Sequence, residues 1–392
     1  MSSPSGSRQY YLDWLRVLSI FLVFVYHALR IFGNEGFHIN NATAHTGIDN
    51  LAIVLTSLGM PLIFLVAGAS AYFSLNKYTT SRYLKDRGLR LLVPFAAGLL
   101  THIPILVYLE RVNHQQFSGT YLEFLPHYFD GLYGFGGNFA WMGLHLWFLM
   151  MLFVYTLISL PLLMGLRRGR ILEKIDRFLA KPGMIYLLAV PLVLLSVRLH
   201  PDTFGIRVFG GWNVFTYLLF LLYGFILVAH DGLRERIERD RWLSLAAAVA
   251  LLVWGAAIWA GGGYPAYGTL RYPLFFTVQS VGAWCGLLAI WGLSIHRLNF
   301  GTLGLYLANE AVLPFYVLHQ TVLIIVGYFV VQWASPDWLK FIVIFAGSLG
   351  IIAGLYWFLI RPFNAMRFLF GMRPKVTAIQ PLPTTPKPGV TA

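Results

Sequence analysis

The 392 residues are 58% hydrophobic and only 11% charged, with a mean hydropathy of +0.67. A soluble domain carries about 25% charged residues, so an ordinary soluble enzyme, a disordered chain and a secreted disulfide scaffold are all poor readings, and the single cysteine, Cys285, has no partner for an internal bridge. The formal charge of +13 fits either a nucleic-acid partner or the Lys/Arg excess that membrane proteins keep on their cytoplasmic side, and the positions of the basic residues separate the two.

A bilayer-crossing helix takes about 20 mainly apolar residues. Ten stretches come close, at about 11–32, 50–74, 89–109, 144–165, 184–199, 213–230, 242–260, 273–294, 312–333 and 338–360. The fifth and sixth are short. The third is interrupted by His102 and Pro104, which neighbouring helices can accommodate. The expected fold class is all-α, a polytopic membrane bundle of about ten transmembrane helices. With the N-terminus inside, 22 of the 29 basic residues fall on inner segments; Arg30, Arg111, Arg198, Arg207, Arg271 and Lys340 fall outside, and Arg16 lies within the first span. That asymmetry places both termini in the cytoplasm and leaves no role for nucleic acid.

The first span is too long, and too charged at Asp13 and Arg16, for a cleaved signal peptide. Residues 1–372 are expected to form one integral-membrane domain. Residues 373–392, with Pro374, Pro381, Pro383, Pro386 and Pro388, read as a flexible cytoplasmic tail. The longest outer loop, about 110–143, carries Trp141 and several Tyr and Phe. A cap over an outer cavity and an interfacial aromatic segment both fit it.

Ionisable residues within spans are costly and usually face a bundle interior or a wet cavity. Arg16 and His27 are eleven apart, which returns to nearly the same helix face with a rise of roughly 16 Å. Arg16 could instead snorkel inward and pair with Asp13; His27 is too deep for that. Arg87 and Arg90 share one side of the helix entering the third span. Their guanidinium forks suit phosphates, although an ordinary positive-inside loop fits as well. His319 lies within the ninth span, as a second acid/base group or as a packing histidine. Glu310 sits at that span's inner edge, nine residues away and on the opposite face unless Pro314 kinks the helix. It could organise the inner arginines or rest near Arg297 as a surface carboxylate. His145 opens the fourth span, where Trp147 reads as an interfacial anchor. His102, His127 and Arg271 read as structural, and His45-x-x-x-Asp49 as a chance match to a soluble acyltransferase signature. No phosphate-binding loop, dinucleotide fingerprint or convincing metal-ligand spacing is present.

Four of these segments, in order, resemble the integral-membrane acyltransferase 3 family: Tyr11-Leu12-Asp13-Trp14-Leu15-Arg16 leading to His27; Arg87 and Arg90 before Leu91-Leu92-Val93-Pro94; Leu146-Trp147-Phe148-Leu149; and the run from Tyr316 to His319. The likeness covers about residues 8–370 and is strongest to the branch that modifies periplasmic glucans. It implies a bacterial inner-membrane enzyme moving an acyl group, of the acetyl or succinyl class, from cytoplasmic acyl-CoA to a hydroxyl of an extracytoplasmic carbohydrate. No cofactor is then bound permanently. The partners are acyl-CoA, the carbohydrate acceptor and membrane lipid.

On this reading His27 is the general base, for which a pKa near neutrality is apt. Arg87 and Arg90 hold the CoA phosphates, Arg16 steers the donor or stabilises charge, His319 assists, and Glu310 organises the inner arginines. A transporter or channel using buried His and Arg for substrate or proton passage is the alternative. One continuous cavity lined by Arg16, His27, Arg87, Arg90 and His319 would favour the acyltransferase.

Overall fold

The computed structural model describes residues 8–168, 170–207 and 210–375, so the expected tail lies outside the described residues from 376 onward. Among the described residues the regular structure is helical, apart from one isolated bridge between Leu132 and Phe139. In chain order the helices are α1 (Tyr10–Arg30), α2 (Thr46–Lys77), α3 (Thr80–Thr101), α4 (Ile103–Asn113), α5 (Tyr121–His127), α6 (Trp147–Arg168), α7 (Ile171–Leu179), α8 (Ala189–Arg198), α9 (Val214–Leu227), α10 (Asp231–Ala260), α11 (Arg271–Arg297), α12 (Leu303–Val330), α13 (Asp337–Gly354) and α14 (Asn364–Leu369).

Seven of these segments are long and apolar enough to cross a membrane, or nine if each of two bent pairs is one span. By this measure the expected count of about ten is reached only if the shorter apolar helix α9 is added. The third expected span bends by 43° between α3 and α4, at the His102 break. The fifth is the end of a pair bent by 115°, in which α7 runs across the approach to α8. The sixth, α9, has 14 residues, roughly 21 Å of helix against about 30 Å of hydrocarbon. The first and last described segments nevertheless meet at one end of the bundle, where Arg8 and Arg373 line the same cavity.

Burial divides the bundle into a centre and a rim. The most apolar stretches of α2, α11 and α12 are 67%, 78% and 61% buried, while those of α10 and α13 are 17% and 22% buried. The rim helices turn side chains such as Trp242, Leu243, Val253, Ile342 and Ile351 outward, as expected where the solvent is lipid. In lipid, helix association depends on close packing rather than on a hydrophobic driving force. The α2–α9 crossing shows it: a Cβ on Gly68 would lie 1.9 Å from the Leu221 carbonyl oxygen, and one on Gly224 1.9 Å from the Leu65 carbonyl oxygen. The two backbones touch where both helices lack side chains.

The link between α1 and α2 is irregular but tied down. The Asp49 carboxylate accepts from the Asn34 backbone and side chain, and Asp337 binds Asn41 and His45. His45 and Asp49 thus serve different partners, in keeping with a chance motif. Buried Lys340 donates to the Asn41 side chain and the Val331 carbonyl, both at 3.1 Å.

Gly224→Ala is expected to force α2 and α9 apart at a cost of about 1–3 kcal/mol, read as a lower melting temperature of the detergent-solubilised protein. An unchanged melt would contradict the close crossing.

Candidate active site

Two cavities lie end to end within the bundle. The first, of about 570 Å³, is lined by arginines from α1, α3 and the C-terminal segment: Arg8, Arg16, Arg87, Arg90, Arg367 and Arg373. Arg16 is fixed from three helices, with Nη1 donating to Asp13 at 3.3 Å and to Asn309 at 3.0 Å, and Nη2 to Ser70 at 2.8 Å. The expected Asp13 pairing is present, yet two further partners hold the guanidinium in place. Arg87 reaches the Ala67 carbonyl and lies over the Tyr83 ring, and Arg90 Nε donates to the Gly371 carbonyl.

The charge in this cavity is only partly balanced. Asp13 is shared by Arg8 and Arg16. Glu310 is shared by Arg367 at 3.0 Å and Arg361 at 3.5 Å; it does not meet Arg297, because the chain beyond α13 folds back beneath α12 and brings its own arginines. Among the described residues no carboxylate lies within ion-pair distance of Arg87, Arg90 or Arg373. Asp86 lines the same cavity without an ion pair to any of the three, and a cavity with this excess of guanidinium groups suits an anion.

The second cavity, of about 320 Å³, is lined by His27, His38 and His145 among others, with Tyr26, Phe37, Tyr133 and Trp147 as its aromatic walls. His27 Nδ1 lies 2.8 Å from the Val23 carbonyl and 3.3 Å from His319 Nε2. A carbonyl only accepts, so Nδ1 carries the proton and Nε2 keeps its lone pair; among the described residues no group bonds to that Nε2. His319 Nδ1 lies 2.6 Å from the Tyr316 carbonyl, so by the same argument its Nε2 is an acceptor turned toward His27.

A wall separates the cavities. Tyr316 lines the first and donates through its hydroxyl to the His145 carbonyl. His145 lines the second and bonds the Val317 carbonyl at 3.0 Å. His319 is wholly buried between His27 and His145, with ring centroids 5.0 and 5.1 Å away, and lines neither cavity. The expected single cavity is thus two, because the turn carrying His145 packs against α12 across the path. Trp147 is also corrected. It is 7% exposed within the largest core cluster, beside Phe64 and Tyr217, and is not an interfacial anchor.

Several neighbours escaped sequence reasoning. Asn309, Ser70, Arg367 and Arg373 carry no motif. Gln320 directly follows His319, is 3% exposed and lines the histidine cavity; among the described residues its buried Oε1 has no partner, and none bonds its amide nitrogen. His38 and Glu110 form a buried pair joined by Tyr133, whose hydroxyl lies 2.9 Å from both Glu110 oxygens. Tyr133 belongs to the long loop, which therefore covers this cavity, while Phe129 and Phe135 of the same loop stay exposed. Burial, and next the Glu110 carboxylate, push the Tyr133 phenol well up, keeping it a donor. No group of three or more His, Cys, Asp and Glu among the described residues is placed to hold a metal.

A family described as an acyltransferase domain matches residues 9–357. The chain belongs to this acyltransferase family. Two relatives called glucans biosynthesis protein C, from Salmonella heidelberg and Salmonella paratyphi B, are 23% and 22% identical, each alignment covering 96% of this chain and 98% of the relative. No solved structure matches the chain. The acyltransferase is thus an integral membrane protein whose arginine and histidine cavities both lie within the matched region, except that Arg8, Arg367 and Arg373 come from outside it.

Glu310→Gln removes the carboxylate that Arg361 and Arg367 share. The segment after Arg361 is expected to loosen, and trypsin should cut at Arg367, now 8% exposed at its side chain, several-fold faster in permeabilised membranes.

Proposed function

We propose that this acyltransferase takes an acyl group, of the acetyl or succinyl class, from acyl-CoA in the arginine cavity and passes it to a carbohydrate hydroxyl in the histidine cavity. The arginine end faces the cytoplasm of a bacterial inner membrane and the histidine end the periplasm, an orientation supported by the distribution of Lys and Arg along the chain. The observation that carries the reading is the pairing of an unbalanced arginine cavity with a histidine whose free Nε2 opens on the other side of one thin wall.

The CoA phosphates are held by Arg87 and Arg90, with Arg373 beside them, and the pantetheine arm passes Arg16 toward Tyr316. The wall formed by Tyr316, His145 and His319 has to part for the thioester to meet the acceptor. His27 Nε2 takes the proton of the acceptor hydroxyl as its oxygen bonds to the thioester carbonyl carbon. The C–S bond then breaks, and the proton passes from His27 to the leaving sulfur, so that CoA departs as the thiol. The imidazolium formed in between is stabilised through Nδ1–H by the Val23 carbonyl and by His319 Nε2. Gln320 is the donor available for the oxyanion, because its amide lines this cavity with no protein partner of its own. Glu310 stays a positioning residue, holding Arg367 at the cavity edge.

Purified protein incubated with a panel of acyl-CoAs and glycan acceptors, with acylated product scored by mass spectrometry, tests the reading. His27→Ala should lower turnover about 10²–10⁴-fold with donor affinity intact; full activity in that variant would sink the assignment. Arg87→Gln and Arg90→Gln should each weaken the donor by roughly 10- to 150-fold, for charged hydrogen bonds of about 1.5–3 kcal/mol.

Gln320→Leu gives a result of opposite signs. Removing an unpartnered buried amide is expected to leave the melting temperature unchanged or raised, while kcat falls about 10²–10³-fold at constant KM. A purely structural Gln320 would lose stability and leave kcat in place.

A further inference from the structure

The pair formed by His38 and Glu110 is not used by the transfer step, yet it is the most elaborately held polar group at the histidine cavity. Glu110, 5% exposed, accepts from His38 Nδ1, from the Tyr133 hydroxyl and, at 3.2 Å, from Arg111. Arg111 is itself fixed by Asn138 at 2.8 Å and the Gly137 carbonyl at 3.0 Å. Two other segments, the loops of His38 and Tyr133, thus converge with the neighbouring Arg111 on one carboxylate.

The loop that carries His38 is restrained as strongly. Asn41 N bonds the Ile31 carbonyl at 2.8 Å and His45 N the Phe32 carbonyl at 2.9 Å. Asp49, Asp337 and Lys340 hold its side chains. A buried lysine is a costly way to hold a loop, and here it bonds the loop's own Asn41.

The consequence is a fixed tautomer. With Nδ1–H committed to Glu110, the neutral form of His38 presents Nε2 as a hydrogen-bond acceptor. His38 lines the same cavity as His27, and among the described residues its Nε2 has no partner. The Phe37 ring lies beside both, its centroid 6.1 Å from the His27 ring and 4.9 Å from that of His38. Two imidazole acceptors therefore flank one apolar platform. A single alcohol can occupy only one of them, whereas a sugar ring offers several hydroxyls around an apolar face.

We infer that His38, oriented by Glu110, is an acceptor-binding subsite that takes a second hydroxyl of the same sugar residue whose other hydroxyl is presented to His27. The acceptor class is a polyhydroxylated ring laid on Phe37, not an isolated alcohol. The inference rests on the placing of acyl transfer in this cavity. His38 is a positioning residue here, and no bond to the acyl group passes through it.

The test crosses variants with acceptors. A gluco-oligosaccharide and its monodeoxy forms are acylated by the wild-type protein and by His38→Phe, His38→Gln and Glu110→Gln. In the wild type, one deoxy position should lower acceptor kcat/KM by up to about tenfold, the value of one uncharged hydrogen bond. His38→Phe should show the same loss with the complete sugar and no further loss with that deoxy form. His38→Gln, which keeps an acceptor, should recover most of the activity. Donor KM should stay as in the wild type, while the melting temperature of His38→Phe falls, because buried Glu110 loses one partner. His38→Ala replaces the bulkier variant should the latter fail to accumulate.

Losses that multiply between variant and deoxy sugar, or an unchanged kcat/KM in His38→Phe, would overturn the inference. Calorimetry of the oligosaccharide without donor separates the two levels. Absence of acyl product together with His38-dependent sugar binding would defeat the transfer reading alone, and transfer that ignores His38 would defeat the subsite alone.

Discussion

A guanidinium carried on a membrane helix must be solvated by protein, because lipid cannot do it and the cost of leaving it bare is several kcal/mol. Arg16 meets this demand by drawing a side chain from each of three helices: Asp13 on its own α1, Ser70 on α2 and Asn309 on α12. The rest of the site depends on that junction. With α1 and α12 joined there, His27 further along α1 and His319 further along α12 come to 3.3 Å of one another. The same helices present Arg16 and Asn309 to one cavity and His27 and Gln320 to the other. A single desolvation requirement thus sets the register between the two helices that carry the proposed chemistry.

The division into two cavities follows from packing. Tyr316 and His145 meet across the path, and Phe148 packs on Tyr316 with ring centroids 5.7 Å apart. Such a wall keeps the arginine cavity and the histidine cavity from becoming one pore. In so buried a place a hydrogen bond aimed at a charge is worth more than in water. The glycine contact of α2 with α9 and the exposed apolar faces of α10 and α13 are the ordinary means by which the bundle holds that arrangement in lipid.

Much of this was legible in the residues. Hydropathy located every long helix, since apolar length is a local property, although α3, α10 and α12 begin well before their apolar stretches, at Thr80, Asp231 and Leu303. His102 marked the bend between α3 and α4. Arg16, Arg87, Arg90 and Glu310 all line the arginine cavity, and His27 the other. The departures share a cause. The ten apolar stretches are not ten straight crossings: the chain bends sharply before α8 and leaves α9 short. Trp147 was read from its place at a helix end, yet the side chain turns inward to the core. Of the two readings of Glu310, the neighbourhood of Arg297 is the one the structure does not show: its partners are Arg361 and Arg367, far along the chain.

By itself, then, the sequence determined that the chain is a helical membrane protein, which charges its helices carry, and its likeness to a family of acyltransferases. These follow from composition, periodicity and short motifs, each local in the chain. Only the tertiary structure decided that the arginines and histidines occupy two chambers, that Arg367 and Arg373 complete the first, and that His38, Glu110, Tyr133 and Gln320 belong to the second. The reason is physical: a buried polar group takes whichever partner the packing of distant helices brings within about 3 Å, and no local pattern encodes that distance.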